Sequence, residues 1–258
     1  MGKQFFSIKL LIAFSILFSG CVLQNNNTLT QVSTIDALIS GLYDGQMPCK
    51  KLLTYGNFGI GTFDKLDGEM VVLNHKVYQI KASGKVYSPK LSLKTPFASV
   101  CKFKPEKKIT VKEKNYLRFK AMLDKALPNQ NLFYGLKMKG SFRHIETRSV
   151  PAQQKPYPPL SEITKNQPQF SFKNITGTII GFRLPPYVKG INVPGYHLHF
   201  ISDDFTSGGH VLRFELEKGI CEIDELHKFF MVLPKGNLEF SKIDLSKDRQ
   251  KELTKVEQ

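Results

Sequence analysis

The chain has 258 residues, 41 % of them hydrophobic, which excludes a disordered chain and suffices for a sizeable core. Its formal net charge of +15 invites a nucleic-acid partner, but the densest basic stretch, 102–125, carries no nucleic-acid fold signature. The lysines therefore read as solvated surface, suited to lying against anionic lipid or drawing in an anionic substrate, and no nucleic-acid partner is expected.

The first segment has the three parts of a secretory signal: basic Met1-Gly-Lys-Gln, a mostly apolar Phe5–Phe18, then Ser19-Gly20-Cys21. The apolar part is short for a membrane span. Small residues directly before Cys21 resemble the bacterial lipoprotein cleavage box, although Phe18 stands where a small aliphatic residue is usual. The reading is a lipoprotein-type signal peptide over 1–21 and an exported protein, anchored through Cys21 or else secreted. Residues 22–33, polar and Asn-rich, read as a tether. Cys49, Cys101 and Cys221 are odd in number and match no zinc or redox spacing. They read as buried thiols, with room for one disulfide outside the cytoplasm.

Ile35, Leu38, Ile39 and Leu42 recur at helical spacing behind Ser33 and Thr34 as caps. Residues 59–80 alternate as strands around the turn signals Asp67-Gly68 and Asn74-His75. Residues 97–103 and 108–111 are further strand candidates, 114–127 is helical up to Pro128, and 132–147 returns to strand. The Pro-rich run 148–161 is extended loop. Strands follow at 170–183, 195–202, 210–217 and 220–230, and the chain from Leu245 is polar and helix-prone. The expected class is α+β, a β-rich α/β fold with mixed or antiparallel sheets. Its two domains are a β-rich half over 34–165 and a barrel-like, metal-binding half over 166–258 that ends in a tail.

The chemistry concentrates in Tyr196-His197-Leu198-His199-Phe200. Alternate residues of a strand share a face, so His197 and His199 point the same way, about 6.5–7 Å apart along the chain. A hairpin centred on Phe205/Thr206 pairs His199 with Leu212 and brings His210 to the same face, diagonal to His199. Three neutral imidazoles suit Zn²⁺ or a similar divalent ion, and three protein ligands leave positions open for water or substrate. Read from the residues alone, the trio equally fits a cupin-like oxygenase, a non-enzymatic metal-binding surface lipoprotein, or plain strand histidines. His75, His144 and His227 lack such company. Glu69 and Arg148 taken alone read as surface charges.

Several segments, in order, resemble bacterial α-acetolactate decarboxylase: Leu-Tyr-Asp-Gly (42–45), Gly-Asn-Phe-Gly-Ile-Gly-Thr-Phe (56–63), Leu-Asp-Gly-Glu (66–69), Thr-Pro-Phe-Ala (95–98), Thr-Arg-Ser-Val-Pro (147–151), Pro-Tyr-Pro-Pro-Leu (156–160), Tyr-His-Leu-His-Phe-Ile-Ser-Asp-Asp (196–204) and Gly-Gly-His-Val-Leu (208–212). Phe205 departs from the pattern, where a polar or basic residue is expected. The resemblance implies a homodimer with one Zn²⁺ per subunit on His197, His199 and His210. It places Thr62, Glu69 and Arg148 at the substrate, and matches a family glutamate near the C-terminus to Glu257, which would fold the tail over the metal. The implied reaction is decarboxylation of acetolactate to acetoin. Arg148 would grip the carboxylate, and Glu69, its pKa raised by an apolar pocket, would protonate the carbanion carbon.

Overall fold

In the computed structural model, residues 26–257 are described; the signal segment and Cys21 lie outside them. Among the described residues the strands are β1 (Thr28–Val32), β2 (Met47–Pro48), β3 (Phe58–Thr62), β4 (Glu69–Leu73), β5 (Lys76–Ile80), β6 (Val86–Tyr87), β7 (Lys94–Thr95), β8 (Ala98–Cys101), β9 (Lys107–Asn115), β10 (Phe133–Arg148), β11 (Gln169–Leu184), β12 (Gly195–Ser202), β13 (Gly208–Leu226) and β14 (Lys228–Val232). The helices are short: α1 (Ile35–Ile39), α2 (Cys49–Leu52), α3 (Tyr116–Ala126), α4 (Leu160–Ile163), α5 (Leu238–Lys242) and α6 (Gln250–Glu257). The strand-rich α+β class expected from the alternating pattern is what forms. Thr34 caps α1 by accepting from the Ala37 amide. Asn74 and His75, at φ 51° and 64°, make the tight turn between β4 and β5 that such hairpins favour.

A seven-stranded sheet runs β14-β1-β8-β3-β4-β5-β6, and a five-stranded sheet runs β10-β11-β12-β13-β9. Apolar side chains of both sheets meet in one core, with Leu29, Phe58, Ile60, Val71 and Ile80 from the first against Ile180, Phe182, Leu184, Ile201 and Leu226 from the second. The outer face of the five-stranded sheet is covered by Phe119 and Leu123 of α3.

Three expectations need correction. The metal-binding half is not barrel-like: β10 also pairs with β13 and curls the sheet, but the sheets are not closed barrels. The boundary expected at residue 165 is not where the sheets divide, because β10 pairs along its length with β11 and β13, and β14 joins the other sheet. Most consequentially, the tether expected over 22–33 contains β1, wholly buried and hydrogen-bonded between β8 and β14. Leu29 and Val32 are 0 % and 1 % exposed, worth roughly 1.5–3 kcal/mol each. Its polar Gln31 is satisfied by the carbonyls of Ser33 and Ile191 and by Asn192. Cys49, Cys101 and Cys221 are buried free thiols.

Candidate active site

The two sheets bring the chemistry-bearing side chains to one cavity of about 50 Å³. A water needs roughly 10–15 Å³, so the space is on the scale of a small molecule. His197, His199, His210, Arg148, Glu69, Thr62 and Glu257 all line it. Opposite them stand Ile35, Leu38, Phe97, Val150 and Leu160, an apolar wall.

β12 and β13 supply the imidazoles. His199 stands directly opposite His210, not opposite Leu212 as the sequence suggested. The loop between these strands is tighter than expected because the Ser202 hydroxyl accepts from the amides of Thr206 and Ser207, and the Asp204 carboxylate accepts from Thr206. Phe205 takes a left-handed φ of 55° and stacks on Tyr78. Because the register moves by two residues, the three histidines keep a common face. Their ring centroids lie 5.1–5.4 Å apart, and one nitrogen from each falls within 4.8 Å of the others.

This group could hold a metal ion. Nδ1 of His199 donates to the Met70 carbonyl at 2.9 Å, which fixes the tautomer and leaves Nε2 with a free lone pair. That Nε2 is buried and has no hydrogen-bond partner, so its lone pair is available to a metal ion. Burial, reinforced by the Arg148 charge, lowers the His197 pKa to about 3. His199 and His210 are also held well below the usual range, first by burial. All three rings are therefore neutral, as coordination requires.

Glu69 opens β4 directly opposite Thr62, whose hydroxyl donates to the Gly68 carbonyl. The Glu69 carboxylate lies 3.5 Å from His199 Nε2, and that of Glu257 lies 3.7 Å from His210 Nε2. Burial raises both pKa values to about 7, against the opposing pull of Arg148. Two carboxyls that can carry a proton at neutral pH thus face the imidazoles.

Arg148 ends β10 beside His210 and is 3 % exposed. It donates from Nη1 to Gln167 Oε1 at 2.6 Å and from Nη2 to the Val256 carbonyl at 2.5 Å, while Nε has no partner. The tail does fold back: Leu253 and Val256 of α6 bury against Ile35, Leu38 and Leu160. His144 and His227 lie elsewhere, the first bonded to Ser171 at the surface. Gln167 and the Val256 carbonyl escaped sequence reasoning, and neither carries a sequence signal. Ile35 and Leu38 were marked by their helical spacing.

The sequence profile of the family described as alpha-acetolactate decarboxylase matches residues 29–247. The chain is 46 % identical over 233 residues to the alpha-acetolactate decarboxylase of Methanosarcina mazei, covering 90 % of this chain and 81 % of that one. It is 43 % identical over 221 residues to that of Brevibacillus brevis, covering 85 % and 77 %. The crystal structure of alpha-acetolactate decarboxylase from Bacillus subtilis strain 168 superposes with a TM-score of 0.87 at 36 % identity, over 89 % of this chain and 99 % of that one.

Proposed function

Because the chain belongs to the alpha-acetolactate decarboxylase family, we propose that it converts acetolactate to acetoin and CO₂ with a zinc ion on His197, His199 and His210. The observation that carries this reading is the meeting of three neutral imidazoles, a buried arginine and two protonatable carboxyls around one small cavity.

Acetolactate carries a carboxylate, a tertiary hydroxyl and a ketone on adjacent carbons. Arg148 takes the carboxylate, because its Nε is a buried cationic donor without a partner. When bound, zinc supplies a Lewis acid that polarises the ketone and steadies negative charge there. As CO₂ leaves, the electron pair of the broken C–C bond moves toward the ketone oxygen. Glu69, protonated near neutral pH, delivers its proton to the carbon that lost CO₂, which gives acetoin. Its fixed place at the start of β4 presents one face of that carbon and so sets the product's handedness. Thr62 is tied to the Gly68 carbonyl beside Glu69 and shapes the wall it stands in. Glu257 closes the cavity from α6.

The test is metal analysis of purified protein alongside acetoin and CO₂ release from racemic acetolactate, before and after chelation. His197→Ala is expected to lose metal and activity together. Full activity without metal overturns the zinc assignment. Bound zinc without CO₂ release favours a non-enzymatic metal-binding surface protein. A cupin-type oxygenase, the other reading of the histidines, would be favoured instead by bound iron and oxygen consumption.

We also infer export with a lipid anchor on Cys21, supported by the basic, apolar and small-residue order of the first 21 positions, and a homodimer in solution, supported by the family resemblance. Cys21→Ser should move the protein from the membrane to the soluble fraction, and sedimentation equilibrium reports the mass.

A further inference from the structure

We propose that Gln167 is the positioning residue for Arg148: it holds the guanidinium by one corner so that the remaining N–H groups stay available to a substrate carboxylate. The geometry is specific. Gln167 Oε1 accepts from Nη1 at 2.6 Å, the Val256 carbonyl accepts from Nη2, and Nε is buried without a partner in a side chain that lines the cavity. Both acceptors are neutral, so the positive charge of Arg148 is uncancelled by either. Gln167 precedes Pro168, which restricts it to extended backbone, and its φ of −69° and ψ of 141° agree. The Pro168 carbonyl in turn accepts from the Ser149 amide, fastening this segment to the residue after Arg148. A rigid backbone, a side chain of the right length and a neutral acceptor together fix an arginine that a planar anion can approach.

The identity of the anion rests on the decarboxylase reading; the positioning role does not. Metal-loaded wild-type protein and Gln167→Met, which keeps side-chain length but lacks the acceptor, are titrated calorimetrically with α-hydroxyisobutyrate and with neutral acetoin. Loss of a hydrogen bond to a charged group is expected to weaken the carboxylate roughly tenfold to hundredfold with acetoin affinity nearly unchanged, and to lower the melting temperature by a few degrees because Nη1 loses its buried acceptor. KM for acetolactate should rise by a similar factor while kcat changes little. Gln167→Glu keeps the acceptor and cancels the charge, and is expected to weaken the carboxylate too. Unchanged carboxylate affinity in Gln167→Met, equal weakening of both ligands, or wild-type carboxylate affinity in Gln167→Glu overturns the proposal, as does a wild-type protein that does not bind the carboxylate. If wild type releases no CO₂ yet calorimetry separates the variants as described, the decarboxylase reading falls and the positioning role stands.

Discussion

The Arg148 guanidinium donates to the main-chain carbonyl of Val256, so the cation at the end of β10 also caps the end of α6. Carbonyls in the last turn of a helix lack partners within it and carry partial negative charge, which a buried guanidinium satisfies. Removing residues 250–258 deletes this cap together with Glu257 and uncovers Ile35 and Leu160. The truncated chain is expected to keep its metal, because all three histidines sit on β12 and β13. It should lose roughly a hundredfold in kcat/KM, the scale of a misplaced catalytic group, with Arg148 no longer held at its second corner. Steady-state kinetics with metal analysis checks both parts.

Glu69→Gln keeps the shape of the side chain and removes its proton. The variant should bind metal as wild type does and lose about a hundredfold to ten-thousandfold in kcat. It also has a stability signature. The folded pKa is raised from 4.5 to about 7, so the acid form is favoured by the fold. That contribution is complete below 4.5 and is lost as pH rises through about 7. Metal-free Glu69→Gln should therefore melt above wild type at pH 8, with the advantage shrinking toward pH 5.

The imidazoles act in the opposite direction. Their folded pKa values lie below the ordinary 6.5, His197 at about 3, because burial opposes the charged ring. Stability from keeping them neutral is present above 6.5 and drains away as pH falls toward the folded values, at about 1.4 kcal/mol per pH unit for each ring at most. Metal-free protein should lose melting temperature steeply below pH 6. Differential scanning calorimetry across pH 4–7 measures it, and a flat profile would contradict the buried, uncharged trio.

Gly209 precedes His210 and has a φ of 143°; a Cβ there would meet the Arg148 carbonyl at 2.5 Å and the Thr147 hydroxyl at 2.9 Å. Gly209→Ala must therefore push β13 away from β10 at the two residues that bear His210 and Arg148. A cost of about 1–3 kcal/mol is expected, with weakened metal binding. Thermal melts and a metal titration read the two effects separately.

The histidine site was legible because it depends on short-range rules. Alternation puts His197 and His199 on one face, and any hairpin register that differs by an even number of residues returns His210 to it, so the face survived a register that was wrong by two residues. The error came from Ser202 and Asp204, whose side chains tighten the loop, a choice no periodicity records. Glu69, Arg148, Thr62 and Glu257 were named through family resemblance, and their meeting depends on packing one sheet against the other. β1 was missed because Thr28-Leu-Thr-Gln-Val follows an Asn-rich run and contains a glutamine. What allows that glutamine inside is Asn192 and the carbonyl of Ile191, far along the chain. Gln167 was invisible for the same reason, since its meaning is a distance to Arg148.

Because β1 lies between β8 and β14, the first sheet cannot be completed until almost the last strand exists. Asn27 donates to the Glu225 carbonyl, 198 residues away, and β1 pairs in parallel with β14 just beyond. Closing so long a loop is slow, and a nascent chain holding only its first half would pair β1 with β8 but leave the β14-facing edge of β1 open. Folding of this protein is accordingly expected to be late and whole-chain. Until β14 arrives, β1 presents a row of unpaired N–H and C=O groups, which makes that edge the place where a second chain can pair.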